Sequence, residues 1–93
     1  MKIAFRKCKQ GLIDAVFLNE IHSYDYQLTC YAHTGQHSAC SIDWLYQDTT
    51  PATQAEYKDL LNELTNSIGY TYLEVVNRLP AYSKTVALFN KGA

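Results

Sequence analysis

TPATQAEYKDLLNELTNSIG, residues 50–69, carries a start signal, a stop signal and one apolar stripe between them. Thr50 offers a side-chain oxygen as N-cap, Pro51 falls on the first helical position where its missing N–H costs nothing, and Gly69 supplies the left-handed residue that ends a helix. A second start lies inside the first. Thr53 and Glu56 have capping-box spacing, so the helix begins either at Thr50 or at Thr53. Tyr57, Leu60, Leu61, Leu64 and Ile68 recur on one face of the 3.6-residue period, and that face needs something to bury against.

The flanking sequence reads as sheet. Residues 3–8 and 12–18 form a first predicted hairpin across Lys9-Gln10-Gly11, with Gly11 able to take the positive φ of a short turn. Residues 19–25, which include Tyr24, lack a clean period and read as loop or distorted edge. A second hairpin is expected from residues 26–33 and 37–46 across Thr34-Gly35-Gln36. It sets His33 opposite His37, Cys30 opposite Cys40, Leu28 opposite Ile42 and Tyr26 opposite Trp44. The even-numbered residues then share an apolar face interrupted only by Ser38, which makes it the expected partner of the helix stripe. Residues 72–79 and 85–89 read as two further strands, Pro80-Ala81 as part of a turn, and residues 90–93 as a frayed tail. The expected fold is a single α+β domain spanning residues 1–93, an antiparallel sheet in the order ββββαββ with one helix packed on one face.

Composition narrows the function classes. At 93 residues there is room for one core and no second domain, and 47% hydrophobic with 18% charged residues fits an ordered chain. No apolar run is long enough to cross a membrane, Ala15 to Leu18 being as long as any. Three cysteines, Cys8, Cys30 and Cys40, cannot all pair within one chain. With no secretory leader in the sequence, free thiols in a reducing cytoplasm are expected.

A net charge of −1 argues against non-specific duplex binding, yet the charges are segregated. Lys2, Arg6, Lys7 and Lys9 occupy an acid-free start and Arg78, Lys84 and Lys91 an acid-free end, while all nine acids lie between Asp14 and Glu74. The basic strand beside Phe5 is of a type that grips single-stranded nucleic acid, although lysine and arginine also guard an edge strand from pairing with other chains. Glu56, Asp59 and Glu63 fall on one helix face, where they stand as a row of carboxylates for a basic partner or as an ordinary solvated face. Eight tyrosines exceed the usual share, as expected of a binding surface or of a thin sheet with half-buried rings.

Cys30-x2-His33-x3-His37-x2-Cys40 has the ligand types of a zinc site. The hairpin register opposes it, since the cysteines face the core and the histidines face away. Neither a metal nor another cofactor is expected. A nucleophilic cysteine is disfavoured too: Cys30 and Cys40 are expected to be buried, and although Lys7 and Lys9 flank Cys8, the sequence places no histidine and acid beside it. No phosphate loop, nucleophile elbow or metal-carboxylate motif occurs, so no small-molecule substrate is indicated.

In whole-chain character, a compact tyrosine-rich α+β chain with segregated charge, the sequence resembles the anti-CRISPR proteins of phages. It is similar in particular to inhibitors of type I-F surveillance complexes, in the run from Cys40 to Tyr46 and the helix that follows. The resemblance implies a non-enzymatic protein of the host cytoplasm that binds the CRISPR-Cas guide-RNA complex through its proteins, with guide RNA as a further contact, and blocks target DNA recognition. On that expectation Glu56, Asp59 and Glu63 meet a basic groove, while Lys2, Arg6, Lys7 and Lys9 meet guide RNA or an acidic rim. A single-stranded nucleic-acid-binding or regulatory module of phage origin is the alternative.

Overall fold

A computed structural model describes residues 1–32 and 37–90. Strands β1 (Lys2–Cys8) and β2 (Ile13–Ser23) form the first hairpin, with Gly11 at φ 85° in the turn and its N–H on the Cys8 carbonyl at 2.9 Å. Then follow β3 (Gln27–Tyr31), β4 (His37–Ser41), α1 (Ile42–Gln47), β5 (Thr49–Pro51), α2 (Gln54–Asn62), β6 (Glu74–Val75) and α3 (Tyr82–Asn90). Helix α2 continues through residues Glu63–Ile68 with π-helical hydrogen bonding and ends at Gly69, whose φ of 97° is the expected left-handed stop.

The α+β class stands; the purely antiparallel sheet does not. Among the described residues five strands lie in the order β4-β3-β2-β1-β5, and a sixth, β6, joins the same edge as β5 by pairing parallel with β1, Lys2 opposite Glu74 and Ile3 opposite Val75. Nor does a single helix cover a single face. Ile3, Phe5, Ala15, Phe17 and Tyr31 project to one side and meet Leu60 and Leu64 of α2. Ala4, Val16, Leu18, Leu28, Cys30 and Cys40 project to the other and meet Ile42 and Leu45 of α1 and Phe89 of α3. The even-numbered residues of the second hairpin are therefore core as expected, but their cover is α1 and α3, and α2 takes the opposite face.

Several local expectations are corrected with it. The true start of α2 is Thr53, whose Oγ1 accepts the Glu56 N–H at 3.3 Å while the Glu56 carboxylate accepts the Thr53 N–H at 2.9 Å; Thr50 and Pro51 belong to an edge strand on β1. Residues 42–46 are helix rather than strand, because Ser41 caps them by accepting from Asp43 and Trp44 N–H. Residues 82–90 are helix as well, with Thr85 and Phe89 buried one turn apart. Of residues 72–79 only Glu74 and Val75 pair. Residues 19–23 extend β2 through a bulge between Val16 and Ile21 that carries Ile21 to the α1/α3 side, which is why no clean period is visible there. In the second hairpin Leu28 pairs with Cys40, Cys30 with Ser38 and Tyr31 with His37. That register differs by two residues from the expected one, so the faces survive and the partners change. The predicted turn at residues 34–36, its neighbour His33 and the tail at 91–93 lie outside the described residues.

Candidate functional site

The basic strand does not present its four cations together. Arg6 is 7% exposed, with Nε donating to Thr49 Oγ1 and a terminal nitrogen to the Thr49 carbonyl, each at 3.0 Å, and burial lowers its pKa. Lys7 reaches Glu56 at 2.7 Å, and Lys9 reaches Asp48 at 3.3 Å. Lys2 is exposed at the far end of the strand.

The carboxylate row on α2 is divided in the same way. Glu56 is held by its capping bonds and by Lys7, which together bring its carboxyl from 4.5 down to about 2, the Lys7 hydrogen bond being the largest cause. Glu63 accepts the Tyr31 hydroxyl across the sheet, and Asp59 is exposed. Two of the residues expected on opposing patches, Lys7 and Glu56, are thus each other's partners.

The three described members of the Cys-His motif, Cys30, His37 and Cys40, do not gather. Cys30 and Cys40 sit in the layer beneath α1 and α3. His37 contacts Phe17 and Tyr31 from the opposite face and shares a 2.8 Å hydrogen bond with Tyr70 Oη. Cys30 lies 3.3 Å from Ser38 Oγ, and a hydrogen bond from Cys40 lowers the Cys30 pKa while raising that of Cys40. His33 is outside the described residues. Among the described residues no group of three His, Cys, Asp or Glu is placed to hold a metal ion.

Two clefts bring together residues that sequence reasoning did not combine. One, of about 290 Å³, holds Lys2 and Arg78 beside Asn19, joining the two basic ends of the chain. The other, of about 470 Å³, lies where the β2–β3 turn meets the starts of α1 and α3, and holds Asp25, Tyr26, Asp43 and Tyr82. Tyr26 is 46% and Tyr82 45% exposed, and Tyr24 beside them is 63% exposed. The Tyr24 and Tyr26 rings both lean on Phe89, at 6.5 and 5.3 Å between centroids. Tyr26 holds φ 62°, a left-handed backbone that a bulky side chain adopts at a cost, and its carbonyl accepts the Ile42 N–H at 3.0 Å. Tyr82 donates its hydroxyl to Asp43 Oδ1 at 2.7 Å, which raises its pKa, and its ring meets Tyr46 edge-on. The legible signal was Tyr24 and Asp25 in a segment without strand period; Tyr26, expected in a strand opposite Trp44, belongs instead to the turn at residues 24–26 that precedes β3.

Compared with protein-family models, with curated proteins and with solved structures, the chain matches none. No helix among the described residues is long and apolar enough to cross a membrane.

Proposed function

We propose that this chain is a non-enzymatic binding protein that attaches to a CRISPR-Cas guide-RNA surveillance complex in the host cytoplasm and blocks target DNA recognition. The observation that carries the binding role is the set of exposed rings, Tyr24, Tyr26 and Tyr82, around the Asp25 and Asp43 carboxylates. Aromatic rings at the surface with acids beside them match the chemistry of a basic protein groove built to hold nucleic-acid phosphates. Asp59 and Lys2 are exposed charges elsewhere on the surface, Asp59 on α2 across the sheet from this cleft and Lys2 in the cleft with Arg78. The resemblance to type I-F inhibitors supplies the identity of the partner. The test is capture of a reconstituted type I-F surveillance complex by the immobilised chain, together with measurement of target-duplex binding. Capture with loss of duplex binding is expected, and undiminished duplex binding at saturating chain rejects the reading.

A second reading, a single-stranded nucleic-acid-binding module, is favoured by the cleft that joins Lys2 and Arg78. It requires direct oligonucleotide binding whose logarithm falls with log salt by about 0.7 for each phosphate contacted.

A further inference from the structure

We propose that the cleft between the β2–β3 turn, α1 and α3 is a receptor for an arginine side chain of the protein partner. This rests on the reading of the chain as a binding protein. The cleft has a flat, electron-rich wall, since the rings of Tyr26 and Tyr82 both line it, and two carboxylates, Asp25 and Asp43, stand at its margin. Among the described residues no lysine or arginine lines it. A phosphate would meet two negative charges there, which sets nucleic acid aside as the occupant.

The pieces are held in place before any ligand arrives. Asp43 sits in the first turn of α1, anchored by its N–H on Ser41 Oγ at 3.1 Å, and its Oδ1 already accepts the Tyr82 hydroxyl. Its Oδ2 takes no hydrogen bond from the described residues, and neither does the Asp25 carboxylate. Tyr26 is kept in its left-handed backbone by the Ile42 N–H and by contact with Phe89, so its ring is directed to the cleft instead of into a strand. Holding a bulky residue at positive φ on the rim of a cleft is the kind of local strain that accumulates at ligand sites. A guanidinium suits this site better than an ammonium. Its planar, weakly hydrated surface stacks on tyrosine while its N–H groups reach carboxylate oxygens in the guanidinium's own plane, whereas an ammonium is a compact, strongly hydrated point charge.

The experiment titrates the full chain with three capped tripeptides, Gly-Arg-Gly, Gly-Lys-Gly and Gly-citrulline-Gly, followed by two-dimensional NMR. Citrulline has the shape of arginine without its charge. The arginine peptide is expected to shift the signals of Tyr26, Asp43 and Tyr82 in a saturable way, the lysine peptide to bind several-fold more weakly, and the citrulline peptide not at all. The variants Asp25→Asn and Asp43→Asn combined should weaken the arginine peptide by about ten-fold, the size expected for losing charge-assisted bonds. Asp25→Asn alone serves where the pair perturbs folding, because the Asp25 carboxylate has no partner among the described residues. Equal binding of the citrulline peptide, shifts confined to another surface, or unchanged affinity in folded variants overturns the proposal. The functional reading fails separately: arginine-peptide binding without capture of the surveillance complex rejects that partner and leaves the receptor standing. Capture undiminished by the double variant does the reverse.

Discussion

Lys7 Nζ lies 2.7 Å from Glu56 Oε2, so a base of β1 and the acid that closes the capping box of α2 form one contact between strand and helix. Its pH dependence has a definite sign. Folding depresses the Glu56 carboxyl from 4.5 to about 2, so the stability it contributes is present above pH 4.5 and is lost as pH falls toward 2. Urea midpoints should therefore drop across that window, and Glu56→Gln should flatten the drop. An identical profile in the variant would remove Glu56 as its source.

Charge reversal should separate the buried base from the exposed one. Arg6→Glu replaces the donor to Thr49 with an acid at a buried site, and should cost more than about 3 kcal/mol, as an unpaired buried charge does. Lys2→Glu, at an exposed site, should stay within about 0.5 kcal/mol. Chemical denaturation of both variants checks this, and equal effects would put Arg6 on the surface.

Each face of the sheet should depend on its own helix. Leu64 is fully buried under α2, and Leu64→Ala should cost roughly 2–5 kcal/mol. On the other face, Ala87 is an exposed interior position of α3, and Ala87→Pro should cost about 3 kcal/mol if residues 82–90 are helical. Near-wild-type melting of Ala87→Pro would restore a strand there.

Tyr26→Gly should leave thermal stability almost unchanged. Relief of the left-handed backbone is worth about 1–2 kcal/mol, and the lost ring contact with Phe89 about 0.5–1.5 kcal/mol in the opposite direction. Binding of the arginine peptide should fall in the same variant. A large loss of stability would make Tyr26 a packing residue.

Signals carried by neighbouring residues were legible in the sequence. The Thr53–Glu56 box, the Gly69 stop, the Leu60 and Leu64 stripe and the Gly11 turn all rest on local chemistry. The second layer of helices was hidden because Thr85, Val86 and Phe89 are residue types that favour strands, and only the packing of Val86 and Phe89 in the cluster with Ala4 and Leu28, and of Thr85 on the Tyr46 hydroxyl, decides the matter. A trace of it was present in Ala15-Val16-Phe17-Leu18, which is buried without alternation; a strand covered on both faces has that appearance, and one helix cannot supply both covers. Arg6 and Glu56 were read as surface charges since residue type alone cannot show a neighbour such as Thr49 or Lys7. The Tyr26–Tyr82 cleft joins residues from a turn and a helix far apart in the chain, and no spacing rule connects them.

The parallel contact of β6 with β1 places the order of assembly under a constraint. On one side β1 meets β2 through a tight turn, which closes early, whereas on the other it waits for residues 49–51 and 74–75. The Met1 amine reaches the Tyr72 carbonyl at 3.1 Å across 71 positions, a loop whose closure is slow and entropically costly. During synthesis, then, β1 emerges before β5 and β6 and keeps one side unsatisfied until both have followed, and truncation before residue 75 leaves a template for intermolecular strand addition.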